Sequence, residues 1–260
     1  MSILRISRTA LAMGAALMLG AGVATAQTPT AQSVKNILLV HGAWADGSSW
    51  SKVIPKLEAE GFNVTAVQLP LTSLADDVAT TERAIALENG PVLLVGHSYG
   101  GAVISEAGND PKVTGLVFVA AFAPDDGVSA LQLAEENPTP IDAELVPDAN
   151  GFLKITTQGI FEDFAQRLPD VERAVLAATQ GPTSVSSLGA PVSNPAWKNK
   201  PTWFVISAND RTIAPALQAE EAQSMHAVTI ILPTCHVAML EEPVRVANFI
   251  EQAVATIDAK

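Results

Sequence analysis

Six short runs rich in apolar residues are separated along this chain by segments of helical period, and that alternation constrains the fold more than any other feature. The runs fall at residues 36–40, 63–69, 92–95, 113–122, 202–207 and 228–232. The run at 92–95 is apolar throughout, as a strand buried on both faces must be. Between runs, Trp50, Val53, Ile54 and Leu57 fall at i, i+3, i+4 and i+7, which is one face of a helix. Leu74, Val78, Thr81 and Ile85 repeat at helical spacing behind a Ser73/Asp76 pair that resembles a capping box. Val246, Phe249, Ile250, Ala253, Val254 and Ile257 make the clearest stripe, near the end. Strands joined by helical crossovers imply an α/β fold: a mostly parallel sheet with helices on both faces. Ligands of such sheets bind beyond the carboxyl ends of the strands. Chemistry is therefore expected just after each run.

Residues 124–200 break the alternation. They hold no convincing buried strand and are rich in Pro, Asp, Glu, Thr and Ser, with a helix or two expected over residues 162–178. A structureless connection this long is uncommon in a compact domain, so a small helical cap over the sheet's carboxyl edge is predicted. The core is then assigned to residues 35–123 and 201–260. The first 26 residues are set apart. Arg5 and Arg8 precede an apolar stretch at 9–23, and Ala24-Thr25-Ala26 follows. That is the order of a secretory signal peptide, and the stretch is short against the roughly 20 apolar residues of a membrane span. Cleavage after Ala26 and export to the periplasm or the medium are expected, with residues 27–34 as a polar leader. No second long apolar run follows, so no stable membrane insertion is expected after cleavage. A single cysteine, Cys235, excludes a disulfide framework. A formal charge of −12 without a Lys/Arg cluster argues against a nucleic-acid partner. Nothing in the pattern sets an oligomeric state.

Gly96-His97-Ser98-Tyr99-Gly100-Gly101 follows directly on the run at 92–95 and leads into the apolar Ala102-Val103-Ile104. This is G-x-S-x-G in a strand–turn–helix setting. Glycines on either side let the backbone reverse sharply and leave Ser98 exposed in a strained conformation. A serine hydroxyl needs a base. Of the four histidines, His41, His97, His226 and His236, only His236 lies in a loop after a run and before the last helix. An imidazole in turn needs a carboxylate. Asp210 follows the run at 202–207, and Asp125 and Asp126, which follow the run at 113–122, are its rivals. The oxyanion of acyl transfer needs preorganised donors. The Tyr99 N–H is one candidate. The second falls in His41-Gly42-Ala43-Trp44, where Ala43 is assigned and Trp44 is the rival or a pocket wall. Phe122, Phe152, Phe161, Phe164, Trp197 and Val237 are further pocket candidates. Cys235 reads as packing, and Glu241 and Glu242 as a solvated helix start. Neither a metal nor an organic cofactor is called for.

With these residues placed, the chain resembles the α/β-hydrolase superfamily, and within it the branch of plant methyl esterases, hydroxynitrile lyases and bacterial carboxylesterases. The resemblance rests on Val40-His41-Gly42-Ala43-Trp44, the Ser98 motif, Asp210-Arg211-Thr212-Ile213 and His236-Val237-Ala238-Met239-Leu240. The order Ser98, Asp210, His236 is that of the superfamily. The resemblance implies an α/β-hydrolase fold and a small-molecule ester as substrate. Lyases of the branch carry Thr after the first-strand His and Lys after the catalytic His, where this chain has Gly42 and Val237. Ester hydrolysis is therefore expected over carbon–carbon lysis. A ligand-binding protein with little turnover is the third alternative.

Overall fold

Residues 32–259 are described by a computed structural model; the leader expected at residues 1–26, and most of the polar stretch at 27–34, lie outside them. The chain begins with β1 (Asn36–Val40), a short 3-10 turn (Gly47–Trp50) and α1 (Ile54–Ala59). It continues through β2 (Asn63–Val67), α2 (Leu74–Leu87), β3 (Val92–His97), α3 (Gly100–Ala107) and β4 (Val113–Val119). The insertion after β4 holds α4 (Ala130–Glu136), β5 (Leu145–Pro147), β6 (Phe152–Ile155), α5 (Thr157–Gly159), α6 (Asp170–Thr179), β7 (Thr183–Ser184) and α7 (Val185–Gly189). The core resumes with β8 (Thr202–Ser207), α8 (Pro215–Ser224), β9 (Val228–Leu232), α9 (Ala238–Glu241) and α10 (Pro243–Asp258).

The main sheet has the order β2-β1-β3-β4-β8-β9 and is parallel throughout. Every residue of β1, β3 and β8 is buried, which is why their sequences are apolar runs rather than alternations. The chain moves outward from β1 to β2, then returns to place β3 on the other side of β1. That reversal opens a crevice at the carboxyl ends of β1 and β3. The two loops richest in candidate chemistry, after Val40 and after His97, leave the sheet side by side there.

The insertion carries helices and also a three-stranded antiparallel sheet, β5-β6-β7. Strands of two to four residues are too short for a period of two to register in sequence. The helix or two expected over residues 162–178 is a π-helical turn (Ile160–Phe164) followed by α6. Pro169 separates them, since it can offer no N–H to a preceding turn.

A buried carboxyl holds the point where the insertion leaves the core. Glu221 of α8 accepts the Ala123 N–H at 2.7 Å. Its Oε2 has no partner among the described residues. Burial pushes this carboxyl up to about 8. Between the ordinary carboxylate range and about pH 8 the folded chain holds a proton that the unfolded chain has released, so stability falls as pH rises across that window. Glu221→Gln keeps an acceptor for Ala123 and cannot ionise. Its thermal midpoint is expected to exceed the wild type's above pH 8 and to converge with it near pH 5. Parallel midpoints at both pH values would contradict this.

Candidate active site

Ser98 sits on the turn between β3 and α3 with φ of 55°, in the left-handed region. The tightness of the turn explains its glycines. A Cβ on Gly96 would lie 2.6 Å from the Gly100 carbonyl oxygen, and one on Gly100 would lie 2.6 Å from that of His41. Such contacts are closer than a carbon and an oxygen can approach, so only glycine fits at either position.

The loops after β8 and β9 bring Asp210 and His236 together. His236 Nδ1 lies 2.8 Å from Asp210 Oδ2, and both side chains are fully buried. Asp210 is held from every side: Oδ1 accepts the Thr212 and Ile213 N–H groups at 2.8 and 3.0 Å, and Oδ2 also accepts Gln218 Nε2 at 2.8 Å. A carboxylate offers only acceptors, so the imidazole donates from Nδ1 and presents a bare Nε2. That Nε2 is buried and has no partner among the described residues. No hydrogen bond joins Ser98 to His236 among the described residues. Such bonds are commonly long before substrate binds. The rival acids are engaged elsewhere: Asp125 pairs with Lys198, and Asp126 accepts the Asn194 N–H at 2.7 Å.

Neighbours fix the imidazole. His97 points away from Ser98 and its Nε2 donates to the His236 carbonyl at 3.0 Å, with the two rings 4.6 Å apart. Burial, then the proximity of His236, lowers the His97 pKa well below the usual histidine range, so it stays neutral. Phe164 packs edge-on to the His236 ring at 5.0 Å. Glu241 is not a solvated helix start: its side chain is 13% exposed and accepts the Cys235 N–H at 2.7 Å, which pins the loop carrying His236.

Two residues that line the same cavity as Ser98 carry unspent backbone amides. The Ala43 and Tyr99 N–H groups have no hydrogen-bond partner among the described residues, whereas the Trp44 N–H is taken by Thr183 Oγ1 at 3.0 Å. Their peptide planes are fixed from behind. His41 Nε2 accepts the Leu69 N–H at 2.9 Å, so its Nδ1 carries the proton and donates to the Gly42 carbonyl at 2.8 Å. That carbonyl shares a trans peptide with the Ala43 N–H, which must point the opposite way. The Ser98 carbonyl accepts the Gly101 and Phe122 N–H groups at 2.9 and 3.1 Å and aims the Tyr99 N–H likewise. Buried unpaired amides are rare, and a pair beside a serine suits an oxyanion. The hold of His41 on the Gly42 carbonyl could have been sought in the sequence, where it closes an apolar run directly before Gly42-Ala43.

A cavity of about 410 Å³ opens on Ser98. The core contributes Ala43, Trp44, Tyr99 and Phe122, and the insertion contributes aliphatic side chains: Leu131, Ile141, Leu145, Leu153 and Leu188. The other pocket candidates lie outside this lining. Phe152 pairs with Ser184 in the small sheet, and strand alternation turns it away from the side Leu153 presents. Phe161 lies under the Arg173 guanidinium, and Phe164 is spent on His236. Trp197 donates from its indole to the Pro124 carbonyl at the base of the insertion. Val237 is buried at the start of α9. Among the described residues no cluster of three His, Cys, Asp or Glu side chains could hold a metal ion, and no helix is long and apolar enough to cross a membrane.

The profile described as the alpha/beta hydrolase family matches residues 37–249. The chain belongs to the α/β-hydrolase family. Methylesterase 8 of Arabidopsis thaliana is 30% identical over 207 residues, covering 71% of this chain and 75% of its own. A pyrethroid hydrolase of Sphingobium wenxiniae is 34% identical over 110 residues, covering 37% and 39%. The crystal structure of a pyrethroid hydrolase from Sphingobium faniae superposes with a TM-score of 0.75 at 22% identity, covering 86% of this chain and 98% of that one. This α/β-hydrolase thus falls in the branch of plant methylesterases and bacterial ester hydrolases, and is an ester hydrolase.

Proposed function

We propose that this α/β-hydrolase is an exported serine carboxylesterase acting on small to medium hydrophobic esters through an acyl-enzyme. His236 Nε2 takes the Ser98 proton as Oγ attacks the ester carbonyl. The Ala43 and Tyr99 amides hold the oxyanion. As the tetrahedral intermediate collapses, His236 returns that proton to the leaving alcohol. The same imidazole then activates water against the acyl-enzyme, which releases the acid and restores Ser98. Asp210 keeps the proton on Nδ1 throughout and stabilises the imidazolium. The observation that carries the reading is the largely apolar cavity lined by Ser98 together with Ala43 and Tyr99, whose amides are unpartnered, in a chain whose buried His236 imidazole is oriented by Asp210. The order of residues 1–26 supports export.

Two features disfavour carbon–carbon lysis. A lyase releasing cyanide needs a cation after the catalytic histidine, and Val237 is a buried aliphatic. A side chain at position 42 would place Cβ 2.6 Å from Ser98 Cβ, so the threonine of the lyases has no room without a backbone shift.

A fluorophosphonate probe is expected to form a single adduct on Ser98, mapped by peptide mass spectrometry, and to abolish turnover of p-nitrophenyl acetate in step. An unmodified Ser98, or full turnover by the modified protein, would overturn the reading. A burst of one equivalent without turnover would indicate a binding protein instead, and faster cyanide release from a cyanohydrin would indicate a lyase.

A further inference from the structure

The two amides beside Ser98 come from loops on different strands, yet one run of hydrogen bonds joins those loops, and it passes through the cap. The Tyr99 hydroxyl donates to Asp77 Oδ2 at 2.8 Å, and Asp77 Oδ1 accepts the Leu71 N–H at 2.8 Å. The Leu71 carbonyl accepts the Ser184 N–H of β7 at 2.9 Å. One residue earlier on β7, Thr183 Oγ1 accepts the Trp44 N–H at 3.0 Å. The Trp44 indole N–H is held by the Leu153 carbonyl of β6 at 2.9 Å. Trp44 follows Ala43 directly, so the circuit runs from one oxyanion donor to the residue beside the other.

Two further observations mark it as a positioning device. Asp77, Tyr99 and Thr183 are buried to within 1% of full exposure loss, and a polar group taken that far from water destabilises the fold unless it is paired. Trp44, Leu71 and Ser98 take φ of 57°, 57° and 55°. A side-chain-bearing residue keeps that conformation only where its surroundings hold it, most often at functional sites. His41 and the Ser98 carbonyl already aim each amide. The loops also pack directly on each other where Gly42 meets Ser98 and Gly100 meets His41, and the circuit braces that contact from the side of the cap.

We infer that Thr183 and Asp77 are positioning residues of the oxyanion hole, and that the cap, through Thr183, braces the loops that carry the Ala43 and Tyr99 amides. The inference rests on the Ser98 esterase reading and deepens it.

Thr183→Val keeps shape and removes the acceptor. It is expected to lower kcat on p-nitrophenyl acetate by about ten- to a hundredfold with KM changed less than about twofold, since small misplacements of reacting groups act on the transition state. Affinity for a trifluoromethyl ketone, which forms the oxyanion, should fall with kcat, while affinity for a non-electrophilic alcohol of the same size should not. Thr183→Ser should restore kcat to within about threefold, as the hydroxyl returns. Tyr99→Phe cuts the circuit at its other end and should give the same split. The double variant should lose less than the product of the singles. Tyr99→Phe also decides the matter should Thr183→Val not fold. The inference fails if both variants keep wild-type kcat, or if the alcohol loses as much affinity as the ketone. Wild type that takes no fluorophosphonate sinks the esterase reading itself; wild type that takes it, with Thr183→Val and Tyr99→Phe both unimpaired, sinks only the positioning role.

Discussion

Ser98→Ala is expected to lower kcat/KM on a chromogenic short-chain ester by about 10⁴- to 10⁶-fold, the scale seen when a triad nucleophile is removed. The residual rate would come from the oxyanion donors and binding alone. The substitution keeps Cβ and the left-handed backbone, so the Gly101 and Phe122 N–H groups remain on the residue-98 carbonyl and the fold should be unchanged by circular dichroism. Binding of a non-electrophilic ligand in the apolar cavity should also survive, because the lining is otherwise intact. No other group is placed to take over. Cys235 is buried, and burial pushes its thiol up to about 12, far from the thiolate that attacks carbonyls near neutral pH. A variant retaining more than about 1% of wild-type kcat/KM would require a different nucleophile or a different reaction, since triad knock-outs fall far below that.

The parts of this site that could be read in the sequence are those whose chemistry dictates a local pattern. A nucleophile at the end of a buried strand needs an apolar run, flanking glycines and a helix, and residues 92–104 show all three. Asp210 and His236 each follow an apolar run, because carboxyl ends of parallel strands share one rim. The interior of the insertion was not legible in the same way. Its strands are too short to show a period, and its aromatic residues revealed size but not direction. Phe152, Phe161, Phe164 and Trp197 turned to neighbours within or beneath the insertion, and aliphatic residues of α4, β5, β6 and α7, with Ile141, took the cavity instead. Thr183, Asp77 and Glu241 were invisible for a related reason. Each acts through a partner more than 20 residues away or across a loop, and no spacing rule encodes that.

Asp210→Asn is expected to lower kcat by about 10⁴-fold at neutral pH, the loss seen when a triad carboxylate becomes an amide and the imidazole adopts the wrong tautomer. The local bonds determine which way the new amide faces. Its oxygen must take the place of Oδ1, where the Thr212 and Ile213 N–H groups both point. Its NH₂ then faces His236 Nδ1 and the Gln218 amide. Gln218 cannot turn over to accept, because its oxygen already accepts the Ser207 N–H at 3.0 Å and its nitrogen donates to the Ile213 carbonyl at 3.0 Å. His236 is left to accept at Nδ1 and carry its proton on Nε2, where it cannot take one from Ser98. Nitrogen NMR of the imidazole should report the tautomer exchanged between wild type and variant, and fluorophosphonate labelling of Ser98 should slow along with kcat. Asp125→Asn and Asp126→Asn, whose carboxylates are spent on Lys198 and Asn194, should stay near wild type. An Asp210→Asn enzyme within about tenfold of wild type, or an Asp125 variant that loses as much, would move the triad acid elsewhere, because an orienting carboxylate in this role is worth far more than that.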